Sequence, residues 1–267
     1  MTVVVRTLTR EGIVLAADGR CSGAIDGTIF SDSVQKIFPI KTPAGAFAYT
    51  ISGAVDVLAD GGREVAVDIA AGIRKSAENL AKKPARSLEN YALRLCRPIC
   101  QALKDANASG RFSAYPSFEP SIYGERGNTI TRINIDGFRD GYPSSVAIRL
   151  FHENNFLGDP EITTETNYIG IHRILGSPEI MRLLWDTDDP RFSAYRGADV
   201  RPEQMTLALA IKRSRSYIQA CSDAEAAAID PICARVGGHI HIATISPLAE
   251  FEWVTAPAIP KPSQSAV

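Results

Sequence analysis

The first 37 residues alternate between short apolar runs and polar connections. The runs Thr2–Thr9 and Gly12–Asp18 are rich in β-branched and small apolar residues, and a short polar connection separates them. This length and composition predict a tight antiparallel hairpin. A polar loop containing glycine follows, and the next apolar run begins at Lys36. The pattern therefore places Asp18 at the end of one strand and Lys36 at the start of another.

Two helical stretches follow a predicted strand over Ala46–Gly53. The first runs from Ala54 to about Lys83, and its Asp-Gly-Gly interruption at positions 60–62 predicts a kink or a break. The second, Ser87–Asn107, is amphipathic. Pro98 lies inside it, and because an interior proline costs about 3 kcal/mol, we expect a kink or break near this residue.

The remaining chain again alternates strands with helices. The predicted strands are Ser121–Glu125, Thr129–Asp136, Ser144–Glu153, Asn167–Arg173, Gly237–Ile245 and Glu250–Thr255, and the predicted helices are Ser177–Trp185 and Pro202–Ser222. Strands followed by two helices, more strands, two helices and final strands predict an α+β layer arrangement. With no internal repeat or linker, we expect one domain over residues 1–255. Residues 256–267 are rich in proline and serine, which predicts a disordered tail.

Charge and composition narrow the classes of partner. The chain has 29 Lys and Arg against 30 Asp and Glu, so no charge excess indicates nucleic acid or an anionic membrane as partner. No apolar run is long enough to span a bilayer, and the N-terminus lacks the pattern of a signal peptide. The five cysteines are odd in number and scattered, which is typical of reduced thiols. We therefore expect a cytoplasmic protein.

The N-terminus offers a nucleophile and a base on one residue. Thr2 follows the initiator methionine, so removal of Met1 would leave a threonine with a free α-amine. An α-amino group titrates near roughly 7.7 to 8.0, so it can take the proton of the neighbouring hydroxyl. A buried ammonium from Lys36 would lower the proton affinity of both groups, and Asp18 would keep that lysine charged.

These residues resemble the proteasome β-subunit and HslV group of N-terminal nucleophile (Ntn) hydrolases. The likeness is carried by Thr2, by Ala-Asp-Gly-Arg around Asp18, by Val-Gln-Lys-Ile around Lys36, and by Ser52-Gly53. The resemblance implies a four-layer αββα sandwich in which Thr2 attacks an amide carbonyl. It also implies that Asp18 and Lys36 support the attack and that Gly53 lies in the loop that holds the oxyanion. Residues 138–165 exceed the length that the resemblance implies and are interpreted as an atypical insertion.

The resemblance also implies where a substrate would bind. Substrate would add as an extended strand, along the residues Cys21, Ser22, Thr50, Ser52 and Ala54. Side-chain selection would fall to residues with small or apolar side chains, which favour a modest uncharged residue before the cleaved bond: Cys21, Val34, Thr50 and Ala54. No metal or organic cofactor is needed for this chemistry.

Support for the N-terminal amine is less complete. The group has a Ser and an Asp near a double glycine, and here Val236 occupies the serine position before Gly237-Gly238. Two further candidates for supporting residues are Ser177, where the group has a Gly-Ser-Gly turn before its third helix, and Asp230, the only acid close to the double glycine. His239 and His241 alternate on one predicted strand, and without a third ligand at metal spacing we interpret them as hydrogen-bonded histidines rather than a zinc pair.

Three functions remain open at this point. The first is a threonine-type peptide hydrolase that forms a ring or larger homo-oligomer, with a peptide or protein as substrate. The second is a catalytically inactive structural subunit of the same fold, favoured by Val236 and opposed by the joint presence of Thr2, Asp18 and Lys36. The third is a small-molecule amidase. An ATP-dependent unfoldase partner is not evident from the sequence.

Overall fold

The structure, a computed structural model, describes most of the chain. The described residues are 3–23, 27–42, 45–62, 64–82, 87–117, 127–187, 189–197, 200–248 and 250–258. The predicted strand Ser121–Glu125 and the predicted tail beyond residue 258 lie outside these ranges.

Fifteen strands and five α-helices are found in the described residues. The strands are β1 (Val4–Leu8), β2 (Ile13–Ala17), β3 (Cys21–Ser22), β4 (Ile29–Ser31), β5 (Ile37–Thr42), β6 (Gly45–Gly53), β7 (Asp56–Leu58), β8 (Val65–Asp68), β9 (Asn128–Arg139), β10 (Tyr142–Glu153), β11 (Phe156–Leu157), β12 (Glu161–Thr164), β13 (His172–Leu175), β14 (His241–Ile245) and β15 (Phe251–Thr255). The helices are α1 (Ile69–Ala81), α2 (Leu88–Ala108), α3 (Pro178–Trp185), α4 (Leu207–Cys221) and α5 (Ala224–Ile229). The fold class is therefore α+β, as the sequence predicted.

The chain folds into two compact units. The first consists of Met1–Ile37, Tyr168–Thr244 and Glu252–Val267, and the second of Phe38–Asn167 and Ile245–Phe251. The prediction of a single domain over residues 1–255 stays a prediction, as does the interpretation of residues 138–165 as an insertion.

The first unit is built on a five-stranded sheet in the order β13-β1-β2-β14-β15. The predicted N-terminal hairpin is confirmed, since β1 pairs antiparallel with β2 and Val4 lies opposite Ala17. On its other side β1 pairs antiparallel with β13. Val5 and Ala16 belong to a hydrophobic core that also contains Leu184 of α3 and Ile218 of α4. Helices therefore cover one face of this sheet.

The second unit contains a six-stranded sheet in the order β11-β10-β9-β6-β5, with β12 also paired to β10. Its longest hairpin joins β9 to β10 through Asp140 and Gly141, which both have positive φ. A two-residue turn with positive φ at both positions matches the right-handed twist of the two strands that it joins. Ile51 of β6 and Ile133 of β9 share a core with residues of α1 and α2.

One prediction about the helices of the second unit is wrong, and for a second the alternative of a break is excluded. Asp56–Leu58 and Val65–Asp68 pair as the antiparallel ribbon β7–β8, where the sequence predicted the first half of a helix. The glycines at 61 and 62 both have positive φ, which closes a turn between two short strands. The second helix, α2, continues through Pro98 without a break. Pro98 lies on the exposed side of α2, where water can bond the carbonyl that its missing N–H leaves free.

None of the helices in the described residues combines the length and the apolar character needed to cross a bilayer.

Candidate active site

The carboxylate of Asp18 is fully buried and accepts several hydrogen bonds. Asp18 follows the last residue of β2, so its side chain meets the neighbouring segments at the end of the sheet. Oδ1 accepts the backbone N–H of Val3 at 2.9 Å, and Oδ2 accepts those of Arg20 at 3.3 Å and Gly237 at 3.2 Å. These bonds fix the carboxylate in one orientation. A buried carboxylate of this kind needs a cation as partner.

Lys36 supplies that cation. Its Nζ donates to Asp18 Oδ1 at 2.7 Å and to the carbonyl oxygen of Arg20 at 2.7 Å. The side chains of Lys36 and Asp18 are 3 % and 0 % exposed. Burial lowers the pKa of Lys36 from 10.5, and the negative charge of Asp18 opposes this change. The result is a buried acid–base pair beside the N-terminal strand.

The loop that carries Lys36 is tied to two other segments. Val34 N–H donates to the carbonyl of Gly19 at 2.8 Å, just after β2. His239 N–H donates to the carbonyl of Asp32 at 2.7 Å. The Lys36 backbone N–H donates to Nε2 of His241 at 3.0 Å. The end of β2, the loop at 32–36 and the lead-in to β14 therefore converge on the Asp18–Lys36 pair.

A second ion pair braces the same three segments. The Arg20 guanidinium contacts both carboxylate oxygens of Asp32, at 2.7 and 3.4 Å, and donates to the carbonyl of Val236 at 3.2 Å. The hydrogen bond from Arg20 holds the pKa of Asp32 below its usual value of 3.8. Gly237 lies against this guanidinium, since a Cβ there would meet the Arg20 Cζ at 2.8 Å. The double glycine singled out in the sequence therefore lets the backbone pass close to both Arg20 and Asp18.

His241 is buried and neutral. Burial is the main cause that lowers the pKa of His241 from 6.5 to about 4, and the positive charge of Lys36 adds to this effect. Because Nε2 accepts the Lys36 N–H, the ring proton is on Nδ1. His239, by contrast, bonds the carbonyl of Ala256 through its Nε2 at 2.7 Å. Among the described residues, no three His, Cys, Asp or Glu side chains are placed to hold a metal ion.

The predicted nucleophile, Thr2, lies outside the described residues. Its neighbour Val3 is described and is bound to Asp18 at both backbone groups. Val3 N–H donates to the carboxylate at 2.9 Å, and Val3 C=O accepts the N–H of Asp18 at 3.2 Å. The position of the chain directly after Thr2 is therefore fixed at the acid–base pair.

The predicted oxyanion residue, Gly53, ends β6 in the second unit. It has a φ of +100°, and a Cβ there would lie 2.8 Å from the carbonyl oxygen of Ile130. Only glycine fits this position without strain. The hydroxyls of Thr50 and Ser52 on the same strand are buried and have no hydrogen-bond partner among the described residues. Ala54 N–H donates to the Ile130 carbonyl at 2.9 Å.

The other predicted binding residues, Cys21 and Ser22, form β3 in the first unit. They follow directly after Arg20, whose carbonyl accepts from the Lys36 ammonium. Both are half-buried, and the Ser22 hydroxyl has no hydrogen-bond partner in the described part of the chain. Their role in binding substrate stays a prediction.

The two candidate supporting residues both cap helices. The Ser177 hydroxyl accepts from Ile180 N–H at 3.2 Å at the start of α3. The Asp230 carboxylate accepts from Ile232 N–H at 3.1 Å, at the start of a short 3-10 helix. Capping accounts for both residue types at these positions. Their part in catalysis stays a prediction.

Sequence reasoning gave no role at the Asp18–Lys36 pair to three residues around it: Arg20, Asp32 and His241. The structure shows that they hold the Lys36 loop against the end of β2. The double glycine was a usable signal for this region, because it marked a close approach of the backbone. The hydrogen bond from Lys36 to His241 joins residues 205 positions apart, and no local pattern announces such a contact.

These features define an α+β protein whose N-terminal strand starts at a buried Asp–Lys pair. An arrangement of this kind can keep an ammonium charged next to the first residues of the chain. It can therefore lower the proton affinity of a nucleophile placed there.

Comparisons with solved structures identify a related fold. Anbu (ancestral beta-subunit) from Yersinia bercovieri matches with a TM-score of 0.55 and 11% identity, over 95% of this chain and 87% of that one. The helical assembly of the Anbu complex from Pseudomonas aeruginosa matches with a TM-score of 0.54 and 13% identity, over 96% and 86%. An Anbu (Gly-1) mutant from Hyphomicrobium sp. strain MC1 matches with a TM-score of 0.53 and 14% identity, over 96% and 88%. No protein-family model and no curated protein matches this chain.

These matches correct the resemblance inferred from the sequence. The assignment to the proteasome β-subunit and HslV group is wrong, because the structural relatives are Anbu proteins, which are proteasome-like but distinct from HslV. The sequence motif extends only from Thr2 to about Asp56. The structural match extends over at least 95% of the chain and therefore also includes the regions outside this motif. At this level of identity the comparison shows the fold alone.

Proposed function

We propose that the protein is a threonine-type amide hydrolase that acts on peptides, with Thr2 as nucleophile after removal of Met1. One observation carries the proposal: the buried Asp18–Lys36 pair lies beside the backbone of Val3, the residue bonded to Thr2. Thr2 precedes Val3 in the sequence, so the proposed nucleophile is one residue away from the backbone groups that Asp18 binds.

The pair would supply the charge balance that an N-terminal nucleophile requires. A fixed ammonium lowers the proton affinity of a neighbouring hydroxyl and amine, and Asp18 offsets the cost of burying that ammonium. A surface lysine would be screened by water and would have a weaker effect. Complete burial of Lys36 and Asp18 therefore favours a catalytic role over an ordinary surface ion pair.

The reaction would proceed in two balanced steps. Thr2 Oγ attacks the amide carbonyl while the α-amine takes the hydroxyl proton. When the C–N bond breaks, the α-amine returns this proton to the leaving amine and an ester remains on Thr2. Water, deprotonated by the same amine, then hydrolyses the ester. We assign the oxyanion donors to backbone N–H groups at Gly53, because the chain leaves β6 at this residue and backbone N–H groups at such a point can hold a developing oxyanion.

The proposal extends to the surroundings of the site. Substrate would lie along Cys21, Ser22, Thr50, Ser52 and Ala54, with Ser177 and Asp230 as supporting residues. A four-layer αββα sandwich is part of it, because each unit supplies a sheet with helices packed on it. The helical assembly of the Anbu complex supports a homo-oligomer of this chain. We place the protein in the cytoplasm and expect the oligomer to be visible by light scattering after size-exclusion chromatography.

Intact-mass spectrometry with an acylating β-lactone tests the proposed nucleophile. The wild type should lack Met1 and gain one adduct that maps to Thr2. Thr2→Ala should gain none, and Thr2→Ser, which keeps a hydroxyl on the first residue, should be labelled. A retained methionine, or labelling of Thr2→Ala equal to that of the wild type, would contradict the proposal.

A second candidate is a catalytically inactive structural subunit. It is favoured by Val236, which is buried and takes the place of the supporting serine. This candidate predicts normal assembly with no adduct at Thr2. A small-molecule amidase predicts an adduct together with turnover of short amides but not of peptides, so a panel of both substrate types separates it from a peptidase.

A further inference from the structure

The backbone of Lys36 is held by a single imidazole acceptor. Its N–H donates to Nε2 of His241 at 3.0 Å. Lys36 is 2 % exposed and His241 is 1 % exposed, so water cannot replace either partner easily. A buried N–H that loses its acceptor pays the full cost of desolvation. This bond is therefore well suited to fix the position of Lys36.

The fold determines which way the His241 ring points. Ile242, its neighbour on β14, belongs to the helix-covered core of the first sheet. Because successive side chains on a strand alternate between faces, His241 points away from that core. The ring packs against Trp253 of β15 in a T-shaped arrangement, with a centroid distance of 6.3 Å and an interplanar angle of 67°. On this face of the strand, Nε2 is directed at the Lys36 N–H.

We propose that His241 is a positioning residue for Lys36, which it holds through the backbone so that the ammonium reaches Asp18. The bond acts on the same residue whose Nζ contacts Asp18 Oδ1 and the carbonyl of Arg20, each at 2.7 Å. A fixed backbone restricts where the Lys36 side chain starts. The long side chain can then reach both of its acceptors, Asp18 Oδ1 and the carbonyl oxygen of Arg20. The catalytic consequence of this placement rests on the proposed function; the placement itself does not.

The ring can hold Lys36 only while it is neutral. A protonated His241 would turn an N–H towards the Lys36 N–H, so two donors would face each other. It would also add a second positive charge near the ammonium. The groups that face the ring are Lys36, with Asp18 beyond it, and His239 on the lead-in to β14. Burial and the charge of Lys36 lower the pKa of His241 to about 4, so the acceptor is present at neutral pH.

Two substitutions separate the acceptor from the bulk of the ring. In His241→Gln the amide oxygen can take the place of Nε2 and does not titrate. His241→Leu fills similar space but offers no acceptor. His239→Leu is the matched control, because it removes the neighbouring ring, which bonds the carbonyl of Ala256 and not Lys36.

Amide hydrogen exchange measured by NMR tests the placement directly. The Lys36 N–H should be protected in the wild type, His241→Gln and His239→Leu. It should exchange roughly tenfold faster or more in His241→Leu, the factor expected for one lost buried hydrogen bond. The Lys36 amide shift should also titrate with a midpoint near pH 4 in the wild type and not in His241→Gln. Equal protection in all four proteins, or a titration unchanged in His241→Gln, would overturn the proposal.

Labelling of Thr2 by the β-lactone tests the catalytic consequence. His241→Leu should be labelled roughly tenfold more slowly than the wild type, while His241→Gln and His239→Leu should stay close to it. If the exchange pattern is as expected but the wild type is not labelled, the proposed function fails and the positioning of Lys36 by His241 stands. If His241→Leu is labelled at the wild-type rate despite losing protection at Lys36, His241 has no positioning role in catalysis. Should His241→Leu fail to fold, His241→Gln still decides through its loss of the titration near pH 4.

Discussion

The ammonium of Lys36 lies 2.7 Å from the carboxylate of Asp18, and almost no water reaches either group. Two opposite charges buried together are stable only if each is well hydrogen-bonded. Asp18 meets this condition through three backbone N–H groups, and Lys36 through the carbonyl of Arg20. Both charges of the pair are therefore supported by hydrogen bonds. The effect of the pair on stability can be measured.

Breaking the pair from one side should cost more than removing both charges. Asp18→Asn leaves a buried ammonium without its counter-charge and should lower the free energy of unfolding by about 3 to 5 kcal/mol. Lys36→Met should also destabilise the protein, because it leaves the carboxylate without its cation. The double variant should lose less than the sum of the two, as measured by urea unfolding in a double-mutant cycle. Glu179→Gln, in an exposed pair with Arg182, should change little. Additive losses would show that the pair is not coupled.

The contribution of Lys36 to stability should depend on pH in the alkaline range. Burial lowers its pKa in the folded protein below 10.5, so the unfolded chain binds more protons between the folded pKa and 10.5. Stability therefore rises with pH in that window, and the cost of the buried ammonium is fully present below it. Urea unfolding of the wild type and Lys36→Met should show the wild type gaining relative to the variant as pH rises towards 10.5. If the free energy of unfolding of the wild type fell relative to that of Lys36→Met in this window, the lowered pKa of Lys36 would be contradicted.

One buried histidine, His241, and one half-buried histidine, His172, should make the protein sensitive to acid. Burial lowers the pKa of both His172 and His241 to about 4, against 6.5 in the unfolded chain. Between pH 6.5 and 4 the unfolded state binds more protons, so stability falls as the pH falls. Each histidine should account for roughly 3 kcal/mol of this loss once the pH is below about 4.

The substitutions His172→Gln and His241→Gln test this acid sensitivity. Each variant should lose less stability than the wild type between pH 6.5 and 4, as measured by urea unfolding at several pH values. His172 also forms a hydrogen bond with Thr7 Oγ through Nδ1 at 2.6 Å and stacks on Trp185. His172→Gln should therefore have a lower free energy of unfolding than the wild type at neutral pH. His239→Gln is the control, because the ring of His239 bonds the carbonyl of Ala256 in an exposed contact. Parallel curves for all four proteins would exclude these histidines as the cause.

Gly53 should tolerate alanine poorly. Its φ of +100° is strained for any other residue, at a cost of roughly 1 to 3 kcal/mol. A Cβ would in addition lie 2.8 Å from the carbonyl oxygen of Ile130 and 2.9 Å from the Cα of Thr131, and backbone atoms cannot move aside easily. Gly53→Ala should therefore reduce the free energy of unfolding by more than strain alone.

Gly61→Ala provides the matched comparison for Gly53. Gly61 has a φ of +96°, and a Cβ there would meet none of the described residues within 4 Å, so this variant measures the strain without the clash. Thermal unfolding of the two variants should show the larger fall in Tm for Gly53→Ala. Equal falls would mean that β9 moves to make room.

Local pattern was sufficient for much of the first unit. The hairpin of β1 and β2 follows from two β-rich runs of matched length, and the cap at Ser177 follows from its place before Pro178 and Glu179. The pattern was misleading at residues 56–68, where a ribbon replaces the predicted helix. There the two short strands pair with each other across the turn at Gly61 and Gly62, so a local hairpin forms in place of a helix.

The sequence by itself determined the α+β class, the N-terminal hairpin and the strand-end positions of Asp18 and Lys36, because these depend on residues close together in the chain. The tertiary structure alone decided that His241, Arg20 and Asp32 hold the Lys36 loop, and which proteins share the fold. The contact between Lys36 and His241 joins segments 205 residues apart. Such contacts are set by how β14 is placed beside β2 in the sheet, and no nearby residue specifies that placement.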